Sequence, residues 1–165
     1  MSYDPFDRYL IRARQDLRSA LEHLPTEYLS RQVLSGKRFA CIKDLLMHIA
    51  DVEDSWLHGD ILKDAPVFTR VLPKEFCIGE VFFADVPLET VFDYWQAVQQ
   101  STLAYLESEP DLSFMVDVND KQQQTAHSLI FMLHEVRHTA QIVFLLRRLG
   151  HKPPALDLLW YLPPE

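Results

Sequence analysis

His134 and His138 are four residues apart in Leu133-His134-Glu135-Val136-Arg137-His138-Thr139-Ala140-Gln141. Four residues advance an α-helix by about 6 Å and about 400° of rotation, so both imidazoles leave the same face. Neutral imidazoles at that spacing can converge on one divalent metal ion. Gln141 continues the stripe three residues further on. On the same wheel Leu145 shares the stripe, with Ile130, Phe131 and Ile142 beside it and Met132, Val136 and Val143 opposite. A helix apolar nearly all round is expected to be buried. A buried imidazole left without a partner costs about 1–3 kcal/mol. A metal, a carboxylate or a backbone carbonyl would each meet that need, and spacing alone does not choose among them.

Catalytic zinc-type sites use about three protein ligands and keep a position open. His127 lies on the stripe, but it is seven residues before His134, about 10 Å along the axis. That distance is too great for sharing one ion, so His127 is expected to top the helix or pack at its entrance. His48 is the stronger third candidate. In Cys41-Ile42-Lys43-Asp44-Leu45-Leu46-Met47-His48-Ile49-Ala50-Asp51-Val52-Glu53-Asp54-Ser55-Trp56, positions 45, 49, 52 and 56 are apolar at helical spacing. His48 lies between that face and the polar strip of Asp44, Asp51 and Ser55. A boundary histidine bonded to Asp44 or Asp51 is the plainer alternative, and the same carboxylates are suited to orient a ligating ring. Cys41, two turns earlier on a similar face, reads as a small buried cysteine rather than a thiol ligand.

His48-Ile49-Ala50-Asp51-Val52-Glu53-Asp54-Ser55-Trp56-Leu57 resembles the second-helix signature of the DinB/YfiT-like metalloproteins. His134 to Ile142, followed by Leu146-Arg147-Arg148-Leu149-Gly150 and Pro153-Pro154, resembles their final-helix signature. The two segments are about 80 residues apart, and the resemblance covers most of the chain. It implies a triad of one histidine from the second helix and two from the last, here His48, His134 and His138, holding a divalent metal, often nickel or zinc. The family's usual His-Arg-Gly-Gln ending is His-Thr-Ala-Gln in this chain, a departure beside the ligands rather than in them. The resemblance also implies a homodimer, a small-molecule substrate and, by analogy with relatives, a low-molecular-weight thiol whose sulfur attacks an electrophile. Gln141 would then position a bound water, cofactor or substrate, and Glu135 or Asp51 would support the ligand rings.

Composition limits the remaining classes. At 165 residues and 48% hydrophobic, the chain supports one core and a single domain spanning residues 1–165. Four glycines and long apolar-periodic stretches argue for an all-α fold. No segment approaches the roughly 18 uncharged apolar residues that span a bilayer. The start, Met1-Ser2-Tyr3-Asp4-Pro5-Phe6-Asp7, has neither a basic opening nor an apolar run, so no signal peptide is expected there. Cys41 and Cys77 make no disulfide framework, so a cytoplasmic protein away from membranes is expected. Sixteen basic against 24 acidic residues give a formal charge of −8, whereas nucleic-acid binding needs a basic patch. Arg8, Arg12, Arg14 and Arg18 cluster in the first helix with Asp7 and Asp16 among them, and a solvated helix face accounts for them. With no Gly-rich phosphate loop and no Gly-x-Ser-x-Gly elbow, nucleotide and serine-hydrolase chemistry are disfavoured.

Four helices must position the histidines. The first is expected over Asp4 to His23, stopping before Pro25, with a connection over 25–40. The second runs from Ile42 to Leu57, with Gly59 as its stop. Residues 63–86 read as irregular, with an extended piece at Val81-Phe82-Phe83. The third helix opens at Pro87 and ends at Glu107, before Glu109-Pro110. Residues 111–124 read as a polar loop, and Thr125 caps a fourth helix that ends at Gly150. A short terminal helix near Leu156–Tyr161 is expected to pack Leu159, Trp160 and Tyr161 over the bundle or a partner subunit. Trp56, Phe92 and Trp95 read as core aromatics and Tyr94 as pocket-lining. The long connection after the second helix fits an up-down-down-up four-helix bundle, as the resemblance also implies. Two functions follow: a metal-dependent thiol S-transferase in stress response or detoxification, or a non-catalytic metal-binding bundle acting through a protein partner.

Overall fold

A computed structural model describes residues 5–33, 39–72, 86–118, 122–130, 134–157 and 161. Helix α1, Pro5–Glu22, buries Tyr9, Ala13, Leu17 and Leu21, one residue in every four, as an amphipathic helix must. It stops short of Pro25. The expected connection contains a turn of helix, α2 over Thr26–Ser30, which buries Leu29 in the main core.

Helix α3, Ile42–Asp54, does not stop near Leu57. It widens into a π-helical extension over Ser55–Leu62 and passes straight through Gly59. Lys63 closes it in the left-handed region, φ 55°, donating its N–H to the carbonyl of His58. The buried Asp54 side chain fastens this end. Its oxygens accept the backbone N–H groups of Val67 (2.8 Å) and Phe68 (2.9 Å) and the Tyr94 hydroxyl (2.9 Å). Those bonds anchor a short helix, α4 over Phe68–Val71, where the sequence pattern suggests only irregular chain. The extended piece expected at 81–83 lies outside the described residues.

Helix α5, Leu88–Glu107, follows Pro87, which sits just before the first turn rather than inside it. Residues expected as a solvated loop form a hairpin: β1 (Met115–Val118) pairs antiparallel with β2 (Gln122–Thr125), Val116 opposite Gln124. The glutamine run carries no strand signal of its own. Val116, buried beside Ala126 and Leu129, packs with Trp56, Ile61 and Leu112, and tertiary contact overrides local preference.

Helix α6, Ala126–Ile130, and helix α7, His134–Arg148, lie within the span expected for the fourth helix, with 131–133 outside the described residues. Thr125 caps α6 as expected, its hydroxyl oxygen accepting the N–H of Ser128 at 3.1 Å. Gly150 ends α7 at φ 83°, with His151 N–H on the Leu146 carbonyl and Gly150 N–H on that of Arg147. This bond pair is a Schellman cap. Tyr161 packs back on α1, edge-on to Tyr9 at 5.4 Å and hydrogen-bonded to Asp16. Leu159 and Trp160 lie outside the described residues.

Among the described residues the fold is therefore mostly helical with one small sheet. The stretch Ala126–Arg148 is long and on average apolar enough to cross a membrane, although Glu135 and Arg137 interrupt it. Its Ile142, Leu145 and Leu146 are core residues, so packing within the fold accounts for its hydropathy.

Candidate metal centre

Helices α3 and α7 pack together and bring three imidazoles into contact, edge-on or tilted to one another. Ring centroids are 4.8 Å apart for His48 and His134, 4.7 Å for His48 and His138, and 4.4 Å for His134 and His138. One nitrogen from each ring lies within 4.8 Å of the other two. The Nε2 atoms of His48 and His134 are 3.0 Å apart. Phe39 packs on His48 (4.6 Å) and His138 (5.5 Å), while Trp56 meets His134 edge-on at 5.4 Å.

The donor set fits a divalent ion. Nitrogens bound tetrahedrally at about 2.0–2.1 Å stand about 3.3 Å from one another, close to the 3.0 Å pair found here. His138 Nδ1 is 2.6 Å from Gln141 Oε1. An amide oxygen only accepts, so Nδ1 carries the proton and Nε2 keeps its lone pair. Burial, then His138, His48 and Arg137, push His134 down to about 4. Burial and Arg137 lower His138, against the pull of Gln141. Both rings are thus neutral near pH 7, the form that binds metal.

Immediately beside the triad, the bundle interior opens into a cavity of about 760 Å³, including its part open to solvent. His134 stands in its wall, among apolar side chains such as Leu10, Trp56, Leu103 and Leu129. Arg14, 7% exposed, also lines it. Its Nε donates to Glu135 Oε1 (2.9 Å) and its Nη2 to Glu135 Oε2 (2.6 Å) and Glu53 Oε2 (2.8 Å). Thr102 donates to the other Glu53 oxygen at 2.7 Å, and the guanidinium carbon lies 5.1 Å from the Trp95 ring centroid. Burial works against this charge, but Glu135 and Glu53 outweigh it and raise the Arg14 pKa. Burial raises the Glu135 carboxyl in turn, with Arg14 opposing.

A family model described as the DinB family matches residues 2–165. The chain belongs to the DinB family. No curated protein matches it.

In this DinB-family chain the three histidines expected as ligands do come together. His127 is exposed on α6 and stands outside the cluster. Gln141 is engaged with the His138 ring through its side-chain oxygen. Glu135 does not touch the rings in the bonds it makes; both its oxygens are taken by Arg14. Asp51 is half-buried and within electrostatic reach of Tyr94. Cys41 is buried and its thiol is pushed up to about 11, chiefly by burial, so it stays protonated. Cys77 lies outside the described residues. Tyr94 and Trp56 exchange their expected roles: Tyr94 is fully buried on Asp54, and Trp56 lines the cavity.

Arg14 is the residue that sequence reasoning misplaces, since it belongs to the interior and not to a solvated face. A signal was available. Leu10, Arg14, Leu17 and Leu21 follow one another at i+4, i+3 and i+4, which puts the arginine on the apolar stripe.

A second histidine system has a different character. His58 Nδ1 is 2.5 Å from Asp64 Oδ1, and its Nε2 is 2.9 Å from Ser101 Oγ. Hydroxyl, imidazole and carboxylate follow in the order used by serine nucleophiles. Ser101, however, sits within α5, where helix bonds consume the nearby N–H groups that an oxyanion would need. The cavity reaches neither Ser101 nor His58. The chain ties the end of the π-helical extension to α5.

Proposed function

We propose that this protein holds a divalent metal, nickel or zinc, on His48, His134 and His138 and works as a thiol S-transferase. A low-molecular-weight thiol would give up its proton and form a sulfur–carbon bond to an electrophilic small molecule, whose leaving group departs with the electron pair. Stress response or detoxification is the setting. The observation that carries this reading is the convergence of three imidazoles, one of which, His134, stands in the wall of a largely apolar cavity. When bound, a divalent ion would favour thiolate over thiol at neutral pH. The chain's own residues supply the rest. Gln141 fixes the His138 tautomer, Phe39 and Trp56 brace the rings, and the cavity offers an apolar surface to the electrophile.

The reading also takes the four long helices as an up-down-down-up bundle with its crossover after the π-helical extension, assembled as a homodimer in the cytoplasm. Sedimentation at micromolar concentration checks the dimer.

The deciding experiment is metal content of untagged protein beside the triple variant His48→Ala, His134→Ala, His138→Ala, followed by thiol consumption with a panel of electrophiles. Near-stoichiometric metal in the wild type, none in the variant, and turnover that needs both metal and thiol would support the proposal. A wild type that stays empty after incubation with nickel and zinc would sink it. Tight metal without thiol-dependent turnover would leave a metal-binding bundle acting through a protein partner.

A further inference from the structure

Four of the described residues have a positive φ, and three of them end helices. Lys63 closes the π-helical extension, Glu109 follows α5 with its N–H on the Leu106 carbonyl, and Gly150 ends α7. In those places the left-handed conformation serves as a cap. Phe39, at φ 57°, ends no helix: α2 stops at Ser30 and α3 begins at Ile42. A bulky side chain is a true outlier in this region. Such strain persists where the surrounding structure over-determines it, and it gathers at functional sites. Here the chain is held just beyond the strained residue. The Ala40 carbonyl accepts the Val33 N–H at 2.9 Å, and Ala40 and Cys41 are fully buried.

The strained backbone carries a ring that lies against the triad. Its centroid is 4.6 Å from that of His48 on α3 and 5.5 Å from that of His138 on α7, tilted 51° and 45°. Those two imidazoles stand 4.7 Å apart. One aromatic ring therefore touches candidate ligands from two helices at once, and it also packs on the main core. The third candidate, His134, is met by Trp56 instead.

We infer that Phe39 is a positioning residue that gathers the triad ahead of metal binding, holding His48 against His138 across the seam between α3 and α7. The inference rests on the proposed metal site for its purpose, whereas the ring packing is a property of the protein's own residues. Ligands already drawn together lose less freedom when they bind an ion, and the apolar shell around a site governs its access to water. Backbone strain at Phe39 is the cost of that readiness.

The test begins with metal-free protein. Proton cross-relaxation between the rings of His48 and His138 is expected in the wild type, lost in Phe39→Gly and kept in Phe39→Tyr. Glycine suits a left-handed backbone, so Phe39→Gly should fold and melt cooperatively. In chelator competition, zinc should bind that variant at least about tenfold more weakly than the wild type, and Phe39→Tyr should recover most of the loss. A glycine variant that keeps the ring-to-ring signal or the wild-type zinc affinity would overturn the inference. So would a tyrosine variant no better than glycine, or a glycine variant that fails to fold, since Phe39 would then serve the core. Zinc uptake without thiol-dependent turnover sinks the proposed transferase alone. Unchanged zinc affinity in the glycine variant of a protein that does consume thiol sinks the positioning role alone. A wild type that takes no zinc removes the metal reading, and the ring signals of the metal-free proteins then decide the positioning role by themselves.

Discussion

His134 and Glu135 are consecutive residues at the start of α7, and they serve opposite kinds of cluster. His134 turns to His48 and His138, where like bases meet and the neighbouring rings and Arg137 help to push its pKa down to about 4 after burial itself. Glu135 turns to Arg14, a cation that also takes Glu53. The Arg14 cluster is held within the protein, because one guanidinium bonds both carboxylates at hydrogen-bond distance. The triad gathers three bases with no cation among them, close enough together to hold a metal ion. The first should therefore behave as a fold determinant, and the second as a ligand site on a fold that stands without it.

The largest effect expected from this contrast is on Arg14. Arg14→Met leaves Glu53 and Glu135 buried without their cation, and breaking a buried pair costs about 3–5 kcal/mol. Urea unfolding of metal-free protein reads this directly, and a loss below about 1 kcal/mol would erase the distinction between the clusters. Next comes the triad. Nickel or zinc at about 100 times its Kd should stabilise the wild type by about 2.7 kcal/mol and leave the triple histidine variant unchanged in the same melts. Identical shifts in both proteins would mean that the metal binds elsewhere.

Gln141 sharpens the comparison further. Removing a partner that orients a ligating ring typically weakens metal binding about 10–100-fold. Gln141→Ala should do so in a chelator competition, and Gln141→Glu, which still accepts from Nδ1, should recover most of the affinity.

The smallest effect is on pH dependence without metal. Folded His134 takes up its proton only near 4, whereas the unfolded chain does so near the ordinary 6.5. Between those values the unfolded state binds more protons, so stability rises with pH. The contribution is full above about pH 6.5 and is lost as pH falls towards 4. Metal-free His134→Ala should show a flatter profile over that window, and superimposable curves would remove His134 from the account.

The helices and their punctuation were largely legible because their causes are local. The i, i+4 spacing of His134 and His138, the four-residue stripe of α1, the cap at Thr125 and the left-handed Gly150 all act within a few residues. The π-helical extension was not legible, since its end is fastened by Asp54 to Val67, Phe68 and Tyr94. Nor was the hairpin, whose polar second strand borrows its stability from Val116 packed beside α6.

By itself, then, the sequence determined a mostly helical chain and the residues able to bind a metal, because spacing along a helix decides which side chains share a face. Only the tertiary structure decided that His48 meets His134 across α3 and α7, that Arg14 is interior, and that a cavity opens beside them. Those facts depend on contacts between residues up to 121 positions apart. No local periodicity carries that information, because it arises only when several helices bury their faces against one another.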